Sequence, residues 1–274
     1  MVNRTDLAVE ATVENKDYLK GVSEQEYREG DLLITKTELK KCAEDIVGKR
    51  AGHYVTVYSK EILSGVQTEK VYEVLSDILK EMLPKKGLVL VVGLGNHEIT
   101  PDALGPQVAD KILATRHLSG AVPNFSLDLR AVACIATGVL GQTGIETAEI
   151  IKAVCEKIKP SAVIAIDALA ARDVGRLLST IQFSDTGIQP GAGVLNKRAE
   201  LSCDTLGVPV IAIGIPTVVD AYSMSENKNE GASLMVTPKD IDIKIKRAAE
   251  ILAVSINCAL QQGLSVEEIS LLNC

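Results

Sequence analysis

Two aspartates stand where packing alone does not account for a charge. Asp167 follows Ala162-Val-Ile-Ala-Ile166, an unbroken apolar run, and a carboxylate at the end of such a strand is costly unless it is paired or functional. Asp102 belongs to the segment Gly93-Leu-Gly-Asn-His-Glu-Ile-Thr-Pro-Asp-Ala-Leu-Gly105, which continues from a second apolar run, Gly87 to Gly93. In open α/β sheets, ligands sit beyond the carboxyl ends of the strands. That rule selects three loops: Gly93 to Gly105, Asp167 to Arg172, and Gly214 to Asp220. Two carboxylates side by side cannot both ionise easily, so one keeps a proton while the other polarises water. Such a pair hydrolyses a peptide bond without a serine, a cysteine or a metal. Structural roles compete with this reading. Asp102 immediately precedes a helix and would serve as its N-cap, and Asp167 would bond loop amides or pair with Arg172. Around the pair, Gly95, Asn96, Thr100, Arg172, Asp185, Gly191 and Gly193 are the candidates for binding substrate or shaping the site.

Other chemistries fit less well. Gly93-x-Gly95 after a strand suggests dinucleotide binding, but the third glycine of that fingerprint falls on Glu98 and the helix starts too late for a phosphate turn. Ser184-Asp-Thr-Gly187 matches the Asp-Thr-Gly of pepsin-like proteases in one copy only, within the wrong alternation of elements, and is expected to be a turn at a strand end. No His-Glu-x-x-His occurs. A metal-assisted peptidase using the same two carboxylates, with His97 as a further ligand, is the alternative reading; no metal or other cofactor is expected. The cysteines at 42, 134, 155, 203, 258 and 274 form no Cys-x-x-Cys pair and are expected to be reduced thiols.

These residues need a scaffold, and the apolar periodicity supplies one. Val71, Val74, Leu75, Ile78, Leu79 and Met82 make one helical stripe that Pro84 stops. Helices are also expected within Asp31–Arg50 and over Leu104–His117, Gly144–Ile158 and Pro238–Gln262. Strands are expected at Tyr54–Tyr58, Gly87–Gly93, Arg130–Ile135, Ala162–Ile166, Ser179–Ser184 and Pro209–Gly214. Alternation of this kind predicts an α/β fold, a mostly parallel sheet sandwiched between helices. Residues 1–66 read as an N-terminal extension with irregular and β segments, and 67–274 as the α/β core of a single structural domain. Of the 274 residues, 46% are hydrophobic, enough for a large core, and 24% are charged. The net charge of −7 without a basic cluster argues against direct nucleic-acid binding. No apolar run reaches membrane-spanning length and the start lacks a secretory signal, so a cytoplasmic protein is expected.

At these residues the chain resembles the spore germination proteases of endospore-forming bacteria. The resemblance is carried by Arg4-Thr-Asp-Leu-Ala-Val-Glu-Ala11, the run from Val92 to Pro106, Gln142-Thr-Gly-Ile-Glu-Thr147 and Ile166-Asp-Ala-Leu-Ala-Ala-Arg172. Thr180-Ile-Gln182, Ser184 to Ile188, Gly214 to Asp220 and Leu234 to Lys239 extend it over nearly the whole chain. It implies a fold like that of hydrogenase maturation endopeptidases, with the proposed catalytic aspartates falling on Asp102 and Asp167. It further implies an endopeptidase of the spore core that degrades small acid-soluble spore proteins at germination. The same resemblance implies a homotetrameric zymogen that trims its own N-terminus between Arg4 and Thr5. Only Met1 to Arg4 precede that point, so any propeptide is expected to be very short, and the connection from Asp220 to Leu234 is shorter than in well-known members.

Overall fold

The structure, a computed structural model, describes residues 5–13, 20–64, 68–118, 129–191, 198–221 and 234–272. Its strands are β1 (Val22–Glu29), β2 (Leu32–Leu39), β3 (Gly52–Tyr58), β4 (Val89–Gly93), β5 (Val132–Ala136), β6 (Ala162–Ala171), β7 (Thr180–Ser184), β8 (Val210–Asp220) and β9 (Met235–Val236). The helices are α1 (Ala8–Val13), α2 (Glu44–Val47), α3 (Thr68–Met82), α4 (Leu104–Ala109), α5 (Leu140–Thr143), α6 (Thr147–Ile158), α7 (Cys203–Leu206), α8 (Ile241–Leu260) and α9 (Val266–Leu272).

All the strands join one sheet in the order β1-β2-β3-β7-β8-β6-β4-β5, with β9 added on β8. Alternate residues face opposite helical layers, as the two-residue period of a strand requires. Val89, Val91, Ile164, Ile166, Ile211 and Ile213 pack in a core with α3, α4 and α8. Leu90, Val92, Val163, Ala165 and Val210 pack with Ile151 and Cys155 of α6 and Leu206 of α7. A strand buried on both faces explains the unbroken apolar runs. The expected α/β sheet between helices is present. Its parallel ladder, however, is confined to β5-β4-β6-β8, and every pairing from β1 through β3 and β7 to β8 is antiparallel. The sheet is therefore mixed rather than mostly parallel.

Three expectations about elements are corrected. The short helix expected within Asp31–Arg50 is present as a 3-10 turn, Lys41–Ala43, followed by α2, but its expected face is not: Leu39 ends strand β2, Ile46 is exposed, and Leu39 and Ala43 cluster with Ala8, Ala11, Val47 and Tyr54. The helix expected to reach His117 stops at Ala109. Beyond it, Asn257 of α8 accepts the Leu113 N–H (3.0 Å) and donates to the Lys111 carbonyl (3.0 Å). Gln261 accepts the Arg130 N–H (3.0 Å) and donates to the Arg130 carbonyl (3.0 Å). The Asn257 amide thus satisfies backbone groups that a longer helix would have paired. Finally, 167–171 and 214–220 are not loops. β6 and β8 stay paired through them, with a register shift after Leu169, whereas the β4–β6 ladder ends at Gly93 opposite Ile166.

Candidate active site

The uneven strand lengths make the site. Where β4 stops, the Leu94 N–H donates to the Ile166 carbonyl (2.8 Å) and the chain turns back over the strand ends. Gly95 has φ +112°, and a Cβ there would lie 2.1 Å from the Asp102 carbonyl, so only glycine fits. At Gly105 a Cβ would sit 2.2 Å from the Leu94 carbonyl and 2.5 Å from that of Ile166. These contacts hold the first turn of α4 against the end of β4 and the middle of β6. Asp102 ends the 3-10 turn Thr100–Asp102. The N-cap of α4 is Ala103, and the Asp102 carboxylate points the other way, accepting the Asn96 N–H (2.8 Å). The capping role is thus not taken up. Asn96 uses its side-chain oxygen on the Glu98 N–H (3.0 Å) and the Gln142 amide (2.8 Å), fastening this loop to the one after β5.

Asp167 lies within β6, on the face of Val163 and Ala165, and is 5% exposed. Its neighbour across β8 is Gly214, which in turn faces Gln182 of β7. Its carboxylate accepts the N–H of Ala168 (2.9 Å). Burial, and then the charges of Asp102 and Asp6, hold Asp167 well above the usual carboxylate range, against the Ala168 hydrogen bond. Burial also raises Asp102, opposed by the Asn96 N–H. The two aspartates thus line one cleft, and the Asp102 charge is among the causes that raise Asp167.

The N-terminal segment brings in residues that sequence reasoning did not assign to the site. Asp6 donates its N–H to the Ala170 carbonyl (2.8 Å) and accepts the Ala170 N–H on its carboxylate (2.8 Å). Gln182 accepts the Ala8 N–H (2.7 Å) and donates to the Asp6 carbonyl (3.1 Å). Leu7 and Val9 pack on Leu169, Ala171 and Val219. Buried Glu10 accepts the N–H groups of Arg172 (2.8 Å) and Asp173 (2.9 Å) and the Thr5 hydroxyl. Arg172 donates from its guanidinium to the Glu10 carbonyl (3.2 Å), so it braces the segment. The available signal was the apolar spacing of Leu7, Ala8, Val9 and Ala11 within a polar start.

A cleft of about 460 Å³ is lined by Asp6, Asp102 and Asp167 with Leu94, Gly95, Asn96, Val139, Leu140, Leu169 and Gly191. A smaller cavity of about 190 Å³ adjoins it and shares Asp6, Asp167, Leu169 and Gly191. Gly95, Asn96 and Gly191 therefore join the pair, while Thr100 belongs to the adjoining turn without lining either cavity. Asp185 is not brought to the cleft. It accepts the His53 N–H (2.8 Å) and meets that ring's Nδ1 (2.7 Å), just past the end of β7. Its neighbours Ser184, Thr186 and Gly187 do line the smaller cavity. Thr5 is buried and accepts the Leu7 N–H (3.1 Å) on its hydroxyl; Arg4 and Gly193 lie outside the described residues. His97 is exposed, its Nε2 3.5 Å from the Asp110 carboxylate. Among the described residues no cluster of three or more His, Cys, Asp or Glu side chains is arranged to hold a metal ion, and no helix is long and apolar enough to cross a membrane.

Comparison with known proteins adds the following. Residues 1–230 match the sequence profile of a family described as germination protease. The chain is 42% identical to the germination protease of Caldanaerobacter subterraneus subsp. tengcongensis, over 97% of each chain. It is 41% identical to that of Clostridium tetani, over 97% of this chain and 98% of the relative. With the Bacillus pumilus protein the identity is 47%, over 82% of this chain and 65% of the relative. The solved structure of a nickel–iron hydrogenase maturation protease from Thermococcus kodakarensis KOD1 aligns with a TM-score of 0.38 at 18% identity, covering 65% of this chain and 98% of that one.

Proposed function

The chain belongs to the germination protease family, and from that premise we propose that it is the endopeptidase that begins degradation of small acid-soluble spore proteins in the germinating spore, using Asp102 and Asp167 to activate water. The observation that carries this reading is Asp167 itself, 5% exposed, in a cleft with a second carboxylate whose charge favours its protonated form. Asp167, the more deeply buried of the two, keeps the proton. Asp102 has the Asn96 N–H on its carboxylate and is the base. It takes a proton from water as the water oxygen bonds to the peptide carbonyl carbon. The Asp167 proton passes to the leaving nitrogen and the C–N bond breaks. The proton gained by Asp102 then restores the single proton of the pair.

The test is incubation with an unfolded small acid-soluble spore protein, followed by mass determination of the fragments. Asp102→Asn and Asp167→Asn are each expected to stay folded and to lose about 10²–10⁴-fold in kcat. Wild-type turnover in either variant would defeat the assignment. A parallel arm with chelator separates this mechanism from a metal-assisted one that uses the same carboxylates: loss of activity on chelation favours the latter.

A further inference from the structure

The mechanism leaves one acidic side chain of the cleft without a task. Asp6 lines both cavities, as Asp167 does, and it arrives on a segment that is otherwise packed for rigidity. Leu7 and Ala8 are fully buried, and Gln182 grips the backbone on either side of Leu7. The side chain of Asp6 is fixed as well, since it accepts the N–H of Ala170, three residues along β6 from Asp167. Asp6 thereby brings a third carboxylate to the cleft of Asp102 and Asp167.

We propose that Asp6 is a positioning residue of the same reaction, keeping the shared proton on the Asp102–Asp167 pair at pH values where two acids alone would release it. The inference rests on the aspartate-pair reading given above. It accords with the causes that raise Asp167, where the charge of Asp6 stands after burial and Asp102. Among the described residues, the remaining ionisable groups around the two cavities are Glu146 and Arg198 on one side and Lys49, Arg50, Tyr54 and Glu200 on the other. Arg50 is engaged by Glu200 and Asp204, and Lys49 donates to the Thr5 carbonyl (2.9 Å). The sign follows: with the Asp6 charge removed, the pair gives up its proton at lower pH, and the alkaline side of the activity profile retreats.

The measurement is the pH dependence of kcat/KM on the same unfolded spore protein, for wild type, Asp6→Asn and Asp6→Glu, with thermal unfolding followed in parallel. Asn keeps an acceptor for the Ala170 N–H and removes only the charge. The expected result is an alkaline limb displaced to lower pH in Asp6→Asn, so that its rate relative to wild type falls as pH rises, with the limb restored by Asp6→Glu. An unmoved limb overturns the inference, including when activity drops equally at every pH, which is what a merely structural Asp6 would give. If Asp6→Asn fails to fold, Asp6→Ser, which also offers an uncharged acceptor, is read by the same criterion. Inactive Asp102→Asn and Asp167→Asn with an unmoved Asp6→Asn limb reject this inference alone, whereas active pair variants reject it together with the mechanism.

Discussion

Asp167 shows how one side chain can conflict with its surroundings. Along β6 it shares a face with Val163, Ala165, Leu169 and Ala171, which pack in apolar clusters on either side of it. A charge there is disfavoured, so folding raises the proton affinity of the group. Between the ordinary carboxylate value and the raised one, the folded chain binds a proton that the unfolded chain has lost, and stability falls as pH rises through that window. Asp167→Asn removes this dependence. The melting temperature of the variant relative to wild type is therefore expected to be least favourable near about pH 4 and to improve steadily toward neutrality. Calorimetry across that range checks it, and an offset that does not change with pH would contradict it. Asp167 was legible in the sequence because it directly follows an apolar run, and Asp102 because it lies in the loop that leaves another. Asp6 was not, because it lies among other polar residues and its partner is Ala170, 164 positions away.

At the scale of elements, two short segments set the geometry. The turn from β4 to α4 depends on close backbone approaches. Gly95→Ala places a methyl group against the Asp102 carbonyl at a position of positive φ, with a strain of about 1–3 kcal/mol. Because the displaced atoms belong to Asp102, kcat is expected to fall by about 10²-fold, with only a modest drop in melting temperature. Steady-state kinetics beside a thermal melt tests both parts. In the N-terminal segment, Glu10→Ala removes a buried carboxylate and leaves its partners at Arg172, Asp173 and Thr5 unpaired. A loss of about 3 kcal/mol in urea unfolding is expected. The existence of both segments could be read from composition, but their conformations could not. A β strand and a loop differ here only in whether a neighbouring strand continues alongside, which is why 167–171 and 214–220 looked like loops in the sequence.

For the whole molecule, periodicity identified the strongly apolar strands and both helical layers, since each of those signals is local. Strand order is not local. β1 is largely exposed and polar, and nothing in residues 20–58 indicates that β3 will lie antiparallel to β7. The long helix α8 ties distant parts together through Asn257 and Gln261, both 1% exposed. Asn257→Leu strands the Leu113 N–H and the Lys111 carbonyl, and a cost of about 2–4 kcal/mol is expected. Amide hydrogen exchange that speeds up over residues 110–115 would locate the damage. The docking of Asp6 to Val9 onto β6, β7 and β8 has a consequence for synthesis on the ribosome. Asp6 to Val9 emerge early, yet Ala170, Gln182 and Val219, which receive them, emerge far later. Until β8 has left the ribosome, the segment that carries Asp6 therefore has no complete surface to dock on.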